Sequence, residues 1–155
     1  MSYLIQFIAA IMSTVGFALV FSVPLKTLVV SAINGGFGWV IFKYVIDTTG
    51  SKYIAVFLSA LSITFVSEML ARRLRYPASV FIIPGIINLV PGEGIYNTMG
   101  YFVNNQTELA IESFYSTIVV AGSISFGILL ASSFSTSLKS FRTRTTKRTN
   151  YVRRK

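Results

Sequence analysis

The chain has 155 residues, 53% of them hydrophobic and only 12% charged, with neither cysteine nor histidine. Ordinary globular chains carry about 25% charged residues, so this composition, with a mean hydropathy of +0.66, points to a membrane protein. The missing side chains exclude disulfides, thiol nucleophiles, zinc sites of the usual type, imidazole acid/base chemistry and histidine-ligated haem, and the net charge of +9 belongs to a tail, because eight of the fourteen basic residues lie between Lys139 and Lys155.

A bilayer core of about 30 Å takes about 20 apolar residues of helix. The first such stretch is Tyr3 to Val23. It has no basic segment before it and is longer than a signal-peptide core, so it is expected to stay attached. The second, Leu28 to Ile46, gathers Ser31, Ala32, Gly35, Gly36 and Gly38, small side chains that let helix backbones approach closely. Asn34 sits at mid-depth there and either bonds to a neighbouring helix or lines a polar cavity. The third stretch, Tyr53 to Ala71, contains Glu68 four residues before Arg72, the spacing of an i,i+4 ion pair.

The fourth stretch runs from about Ala78 to Val103 and includes VFIIPGIINLVPGEGIYNTMG. It is long enough to cross only if its two halves are counted together. Proline removes a backbone donor and clashes with the preceding turn, and glycine costs the most backbone entropy. Two Pro-Gly steps, Pro84-Gly85 and Pro91-Gly92, therefore predict a broken helix. The fifth stretch is Phe114 to Phe134. These readings give an all-α, polytopic membrane domain over residues 1–136, with about five transmembrane helices at 3–23, 28–46, 53–71, 78–103 and 114–134. A basic tail over residues 137–155 is expected to be disordered and cytoplasmic, touching anionic lipid rather than nucleic acid.

Basic loops are retained on the cytoplasmic side. With five crossings and the tail inside, that face holds twelve basic residues, including Lys26, Arg72, Arg73 and Arg75, against Lys43 and Lys52 on the other. The predicted orientation in a bacterial inner membrane is N-terminus out and C-terminus in.

Non-helical backbone at membrane depth is tolerated only where protein buries it or water reaches it. Discontinuous helices at mid-membrane commonly form the solute sites of secondary transporters. The predicted solute-facing set is therefore Asn34, Pro84, Gly85, Asn88, Pro91, Gly92, Glu93 and Tyr96, with the second half-helix starting at Gly92 to Gly94. The competing reading is that the Pro-Gly steps are structural kinks. Glu93 is either a proton-linked or substrate-facing group, or a cap on the second half-helix.

Three segments carry a family likeness: Gly16-Phe17-Ala18-Leu19-Val20-Phe21-Ser22-Val23-Pro24, the small-residue stretch from Asn34 to Gly38, and Pro84-Gly85-Ile86-Ile87-Asn88-Leu89-Val90-Pro91-Gly92. Together they resemble the threonine/serine exporter family, in its small-subunit type, which includes the small component of a bacterial two-component succinate exporter. The resemblance implies proton-driven export of threonine and serine or of a dicarboxylate such as succinate, alongside a larger membrane subunit. It also shows a departure, since relatives often carry proline where this chain has Asn88. Five helices are too few for a complete inverted-repeat carrier, so a second subunit, or homo-oligomerisation, is expected to complete the path. A non-transporting membrane scaffold is the alternative. An intramembrane enzyme fits worst, with no nucleophile–base set available, and no cofactor or metal is expected.

Overall fold

The computed structural model describes the backbone of residues 3–152 and the side chains of residues 3–135; the expectation of a disordered tail falls on residues 137–155, whose side chains lie outside that range. Six helices follow one another: α1 (Tyr3–Val20), α2 (Leu25–Thr49), α3 (Lys52–Leu74), α4 (Ser79–Ile86), α5 (Gly92–Val103) and α6 (Thr107–Val152). A single 3-10 turn, Ile87–Leu89, links α4 towards α5. Helices α1, α2 and α3 and the Thr107–Ser135 part of α6 are each long and apolar enough to cross a membrane. Ser79–Leu89 and Gly92–Val103 are long and apolar enough only when taken together, as a pair bent by 47°, the geometry of one broken span or of a re-entrant segment.

The turns explain where the helices stop. Gly50 takes a left-handed conformation (φ 69°) and its N–H bonds to Ile46 O, closing α2. With Gly50 available as that cap, α2 runs past Ile46, carrying Asp47 and Thr49 in its last turn. Arg75 (φ 59°) closes α3 in the same way. Ser22 (φ 53°) turns the chain between α1 and α2, and Asn105 (φ 57°) turns it between α5 and α6.

Side-chain pairs fix the directions. Asn34 meets Ile63 and Ser67, and Gly38 meets Ser59, so α2 and α3 are antiparallel. Tyr53 reaches Ser116 while Arg72 reaches Ser135, so α3 and α6 run parallel and in register. Lys26, Arg72, Arg73 and Arg75 consequently share one end of the bundle. Tyr3, Asp47 and Lys52 mark the other, where Tyr3 Oη donates to Asp47 (3.0 Å) and Lys43 pairs with Asp47 (2.6 Å). Glu68 and Arg72 do not form the expected direct pair. Both converge instead on Ser135 of α6: the Arg72 guanidinium donates to Ser135 O (2.6 Å) and to its hydroxyl, which in turn donates to Glu68 Oε2 (3.4 Å).

The apolar core lies between α3, α4, the 3-10 turn and α6, where Val56, Ala60, Ile63, Ile86, Leu89, Val120 and Ile124 are buried, with Trp39 and Phe42 of α2 packed against them. Beside it runs a seam of small residues. A Cβ on Gly35 would overlap the Thr14 side chain, one on Gly38 would overlap Ile63, and one on Gly127 would lie 2.8 Å from Phe57 O. Lipid tails are as apolar as leucine, so these close approaches supply dispersion contacts where hydrophobic drive between helices is missing.

Candidate functional site

Of the two Pro-Gly steps, only the second breaks the helix. Pro84 and Gly85 are buried inside α4. Proline at 84 leaves the carbonyl four residues earlier, Val80 O, without its helical donor. Ser31 of α2 supplies one, its hydroxyl donating to Val80 O at 3.5 Å. Gly85 packs into the seam, where a Cβ would stand 2.8 Å from Ile63 Cγ2 and 3.6 Å from Asn34 Nδ2.

The helix gives way one turn later. The chain narrows to the 3-10 turn, where Val90 N–H bonds Ile87 O (3.3 Å) and Gly92 N–H bonds Val90 O (2.8 Å). Pro91 then stands as the residue before α5, Gly92 begins that helix, and Glu93 lies in its first turn, where a negative charge suits the helix dipole. This start matches the predicted second half-helix. Asn88 sits beside Ala10 and Thr14 of α1, while Pro91, Glu93 and Gly94 share a recess with Lys52 towards the Asp47 end of the bundle. From Thr107 to Ser116, nine residues of α6 extend about 14 Å beyond the level of Tyr53. Helix α5 pairs with this extension, the Ser113 hydroxyl donating to Gly94 O (3.2 Å) and lying 3.0 Å from Thr98 Oγ1.

On one side of the break lies a cleft of about 700 Å³ between α1, α2 and the 3-10 turn. Ala9 and Ala10 make its floor, Trp39 and Phe42 give it an aromatic wall, and Gln6, Ser13, Lys43 and Asn88 supply polar groups. An apolar cavity with a few convergent polar groups is the usual form of a small-molecule site. Asn88 is held by Thr14 and Ala10, its Nδ2 donating to Thr14 Oγ1 (2.9 Å) and to Ala10 O (3.3 Å). Its carbonyl oxygen accepts no hydrogen bond from any described residue. On the other side, Pro91, Glu93 and Gly94 line a separate small recess against α3 and α6.

The eight predicted residues therefore fall into three places. Asn34, Pro84 and Gly85 meet in the buried seam; Asn34 is 4% exposed and donates to Ile63 O (3.2 Å) and Ser67 Oγ (2.9 Å), while its Oδ1 has no partner. Of the two roles open to Asn34, helix-to-helix bonding is the one these contacts display. Asn88 faces the cleft. Pro91, Gly92 and Glu93 begin the half-helix, and Tyr96, 79% exposed, points away from both cavities. The residues that sequence reasoning passed over are Gln6, Trp39, Phe42 and Lys43. Gln6 and Lys43 carried a signal, as polar side chains within apolar runs. Among the described residues, no three His, Cys, Asp or Glu side chains gather where they could hold a metal ion.

Comparison with known proteins matches residues 6–134 to the family described as Threonine/Serine exporter, ThrE. An uncharacterised protein of Haemophilus influenzae is 31% identical over 129 residues, covering 78% of this chain and 43% of that protein. A threonine/serine exporter of Corynebacterium glutamicum is 30% identical over 76 residues, 49% of this chain and 16% of the relative. The chain thus spans less than half the length of these relatives. No solved structure matches it. With a family match over most of its length and helices fit to cross a bilayer, this all-α membrane protein belongs to the threonine/serine exporter family.

Proposed function

We propose that the chain is the small membrane subunit of an exporter of small polar metabolites, working with a larger membrane subunit of the same family. The substrate class is threonine and serine, or a dicarboxylate such as succinate, and the driving force is the proton gradient. The observation that carries the reading is the break at residues 87–91, which opens a membrane-spanning segment beside a cleft of about 700 Å³. Backbone that leaves the helix within a bilayer needs water or protein beside it, and here a mostly apolar cleft carrying Gln6, Ser13, Lys43 and Asn88 adjoins it. Asn88 is the group best placed to meet a solute. The proposed orientation puts the N-terminus outside and the C-terminus in the cytoplasm of a bacterial cell, and the gathering of Lys26, Arg72, Arg73 and Arg75 at one end of the bundle supports it.

The reading is tested in cells lacking both subunits. These should retain more internal threonine, serine or succinate than the parent, and restoration should require both chains. Pro91→Ala and Gly92→Leu should abolish efflux while membrane abundance stays unchanged. Loss of abundance in parallel would make the break a folding feature alone.

A further inference from the structure

The recess on the far side of the break holds about 120 Å³, enough for a solute of fewer than about ten non-hydrogen atoms. Lys52 at the start of α3 and Glu93 in the first turn of α5 both line it, joined by Asn97, Ser116 and Thr117. The two charges are opposite, yet they form no ion pair with each other or with any other described residue; the described ion pair is Lys43–Asp47. The Asn97 side chain likewise makes no hydrogen bond with any described residue. The hydroxyls are aimed by their neighbours. Thr117 donates to Ser113 O (2.7 Å), which leaves its oxygen free to accept, and Ser116 accepts from Tyr53 Oη (3.4 Å), which leaves its proton free to donate. Gly94 permits this closeness, since a Cβ there would overlap Thr117 Oγ1. At the start of α5 the Gly92 N–H is taken by Val90 O and the Ile95 N–H by Pro91 O, so the Glu93 and Gly94 N–H groups are the first-turn donors that favour an anionic group nearby.

A cation and an anion held apart across a small polar space are complementary to a molecule that carries both charges. We propose that the recess binds one small zwitterionic amino acid bearing a hydroxyl group, as a second station on the export route. Lys52 takes the carboxylate, Glu93 takes the ammonium group, and Ser116 and Thr117 meet the hydroxyl. This deepens the exporter reading and rests on it for the class of solute. Pro91 lines the recess while Ile87 and Asn88 line the cleft, so a few residues of non-helical chain separate the two compartments.

The test is equilibrium binding to the full chain in nanodiscs, using L-threonine, the amino alcohol that lacks its carboxylate, and the hydroxy acid that lacks its ammonium group. The unmodified chain should bind L-threonine about tenfold more tightly than either analogue, the worth of one charge-assisted contact. Lys52→Gln should weaken L-threonine about tenfold and leave the amino alcohol unchanged. Glu93→Gln should weaken L-threonine similarly and leave the hydroxy acid unchanged. Equal losses for all three compounds, no effect of either substitution, or no binding by the unmodified chain would overturn the assignment. Efflux separates this from failure of the exporter reading: a chain that exports normally with both substitutions in place refutes the recess alone, whereas cells that export nothing with the unmodified chain and its partner refute the transport role.

Discussion

The α2–α3–α4 seam and the α5–α6 hairpin use the same vocabulary of glycine, serine, threonine and asparagine, and they use it to opposite ends. In the seam, side-chain donors reach backbone carbonyls of a neighbouring helix: Ser59 bonds Gly38 O (2.6 Å), Asn34 bonds Ile63 O, and Ser31 bonds the carbonyl that Pro84 leaves open. Ser31, Asn34 and Ser59 are all buried, and the glycines have no room for a methyl. At the base of the hairpin, Gly94 still meets Thr117 closely, but Lys52, Glu93 and Asn97 around it stay without partners and in contact with solvent. Small polar residues thus lock two helices together where each donor finds a carbonyl, and they leave a binding space where donors and charges outnumber their partners.

That contrast breaks most visibly at Gly38. Valine there would drive a side chain into Ile63 and Ser59, and overpacking of this kind costs roughly 3 kcal/mol. A large drop in unfolding free energy in detergent is expected for Gly38→Val; tolerance of valine would mean that the seam is loose.

Asn34 gives a smaller effect. Its two donated bonds, to Ile63 O and Ser67 Oγ, span α2 to α3, and interhelical bonds in membranes are worth about 0.6 kcal/mol each on average, up to about 1.7. Asn34→Ala should therefore cost about 1–2 kcal/mol of stability. Asn88→Ala also removes two donated bonds, to Thr14 Oγ1 and Ala10 O, so its stability cost should be similar, but efflux should fall further than membrane abundance does. Efflux that only tracks abundance in both variants would erase the distinction between seam and cleft.

The smallest expected change has the opposite sign. Thr64 is fully buried with a hydroxyl that finds no partner. An unsatisfied buried group carries a desolvation cost, so Thr64→Val should stabilise by up to about 1 kcal/mol. Destabilisation would show that the hydroxyl is engaged within the seam.

Much of this was legible in the sequence for physical reasons. Hydropathy located the four continuous helices fit to cross a bilayer and the apolar bent pair between them, because the bilayer demands a minimum apolar length whatever the packing. The second Pro-Gly step marked the break, and Asn88, Pro91, Gly92 and Glu93 fell beside it. Pro84 misled because the remedy lies in another helix: no local rule shows that Ser31, forty-nine residues away, will cover Val80 O. The Glu68–Arg72 spacing misled likewise, since Ser135 comes between them only once α3 and α6 lie parallel. The cleft wall of Trp39 and Phe42 and the recess around Lys52 and Thr117 depend on juxtapositions between elements, which periodicity within one helix does not report.

The central claim is that the segment from Ser79 to Val103 borders water at its break and only protein or lipid elsewhere. The chain has no cysteine, so single cysteines can be placed at Asn88, facing the cleft, and at Ile83, exposed on the outer surface of α4. A charged, membrane-impermeant thiol reagent applied to intact cells should label the cysteine at 88 and leave the one at 83 unmodified. Neither site reacting would seal the break against water, and both reacting alike would place the segment outside the bilayer; either result contradicts a solute path at residues 87–91.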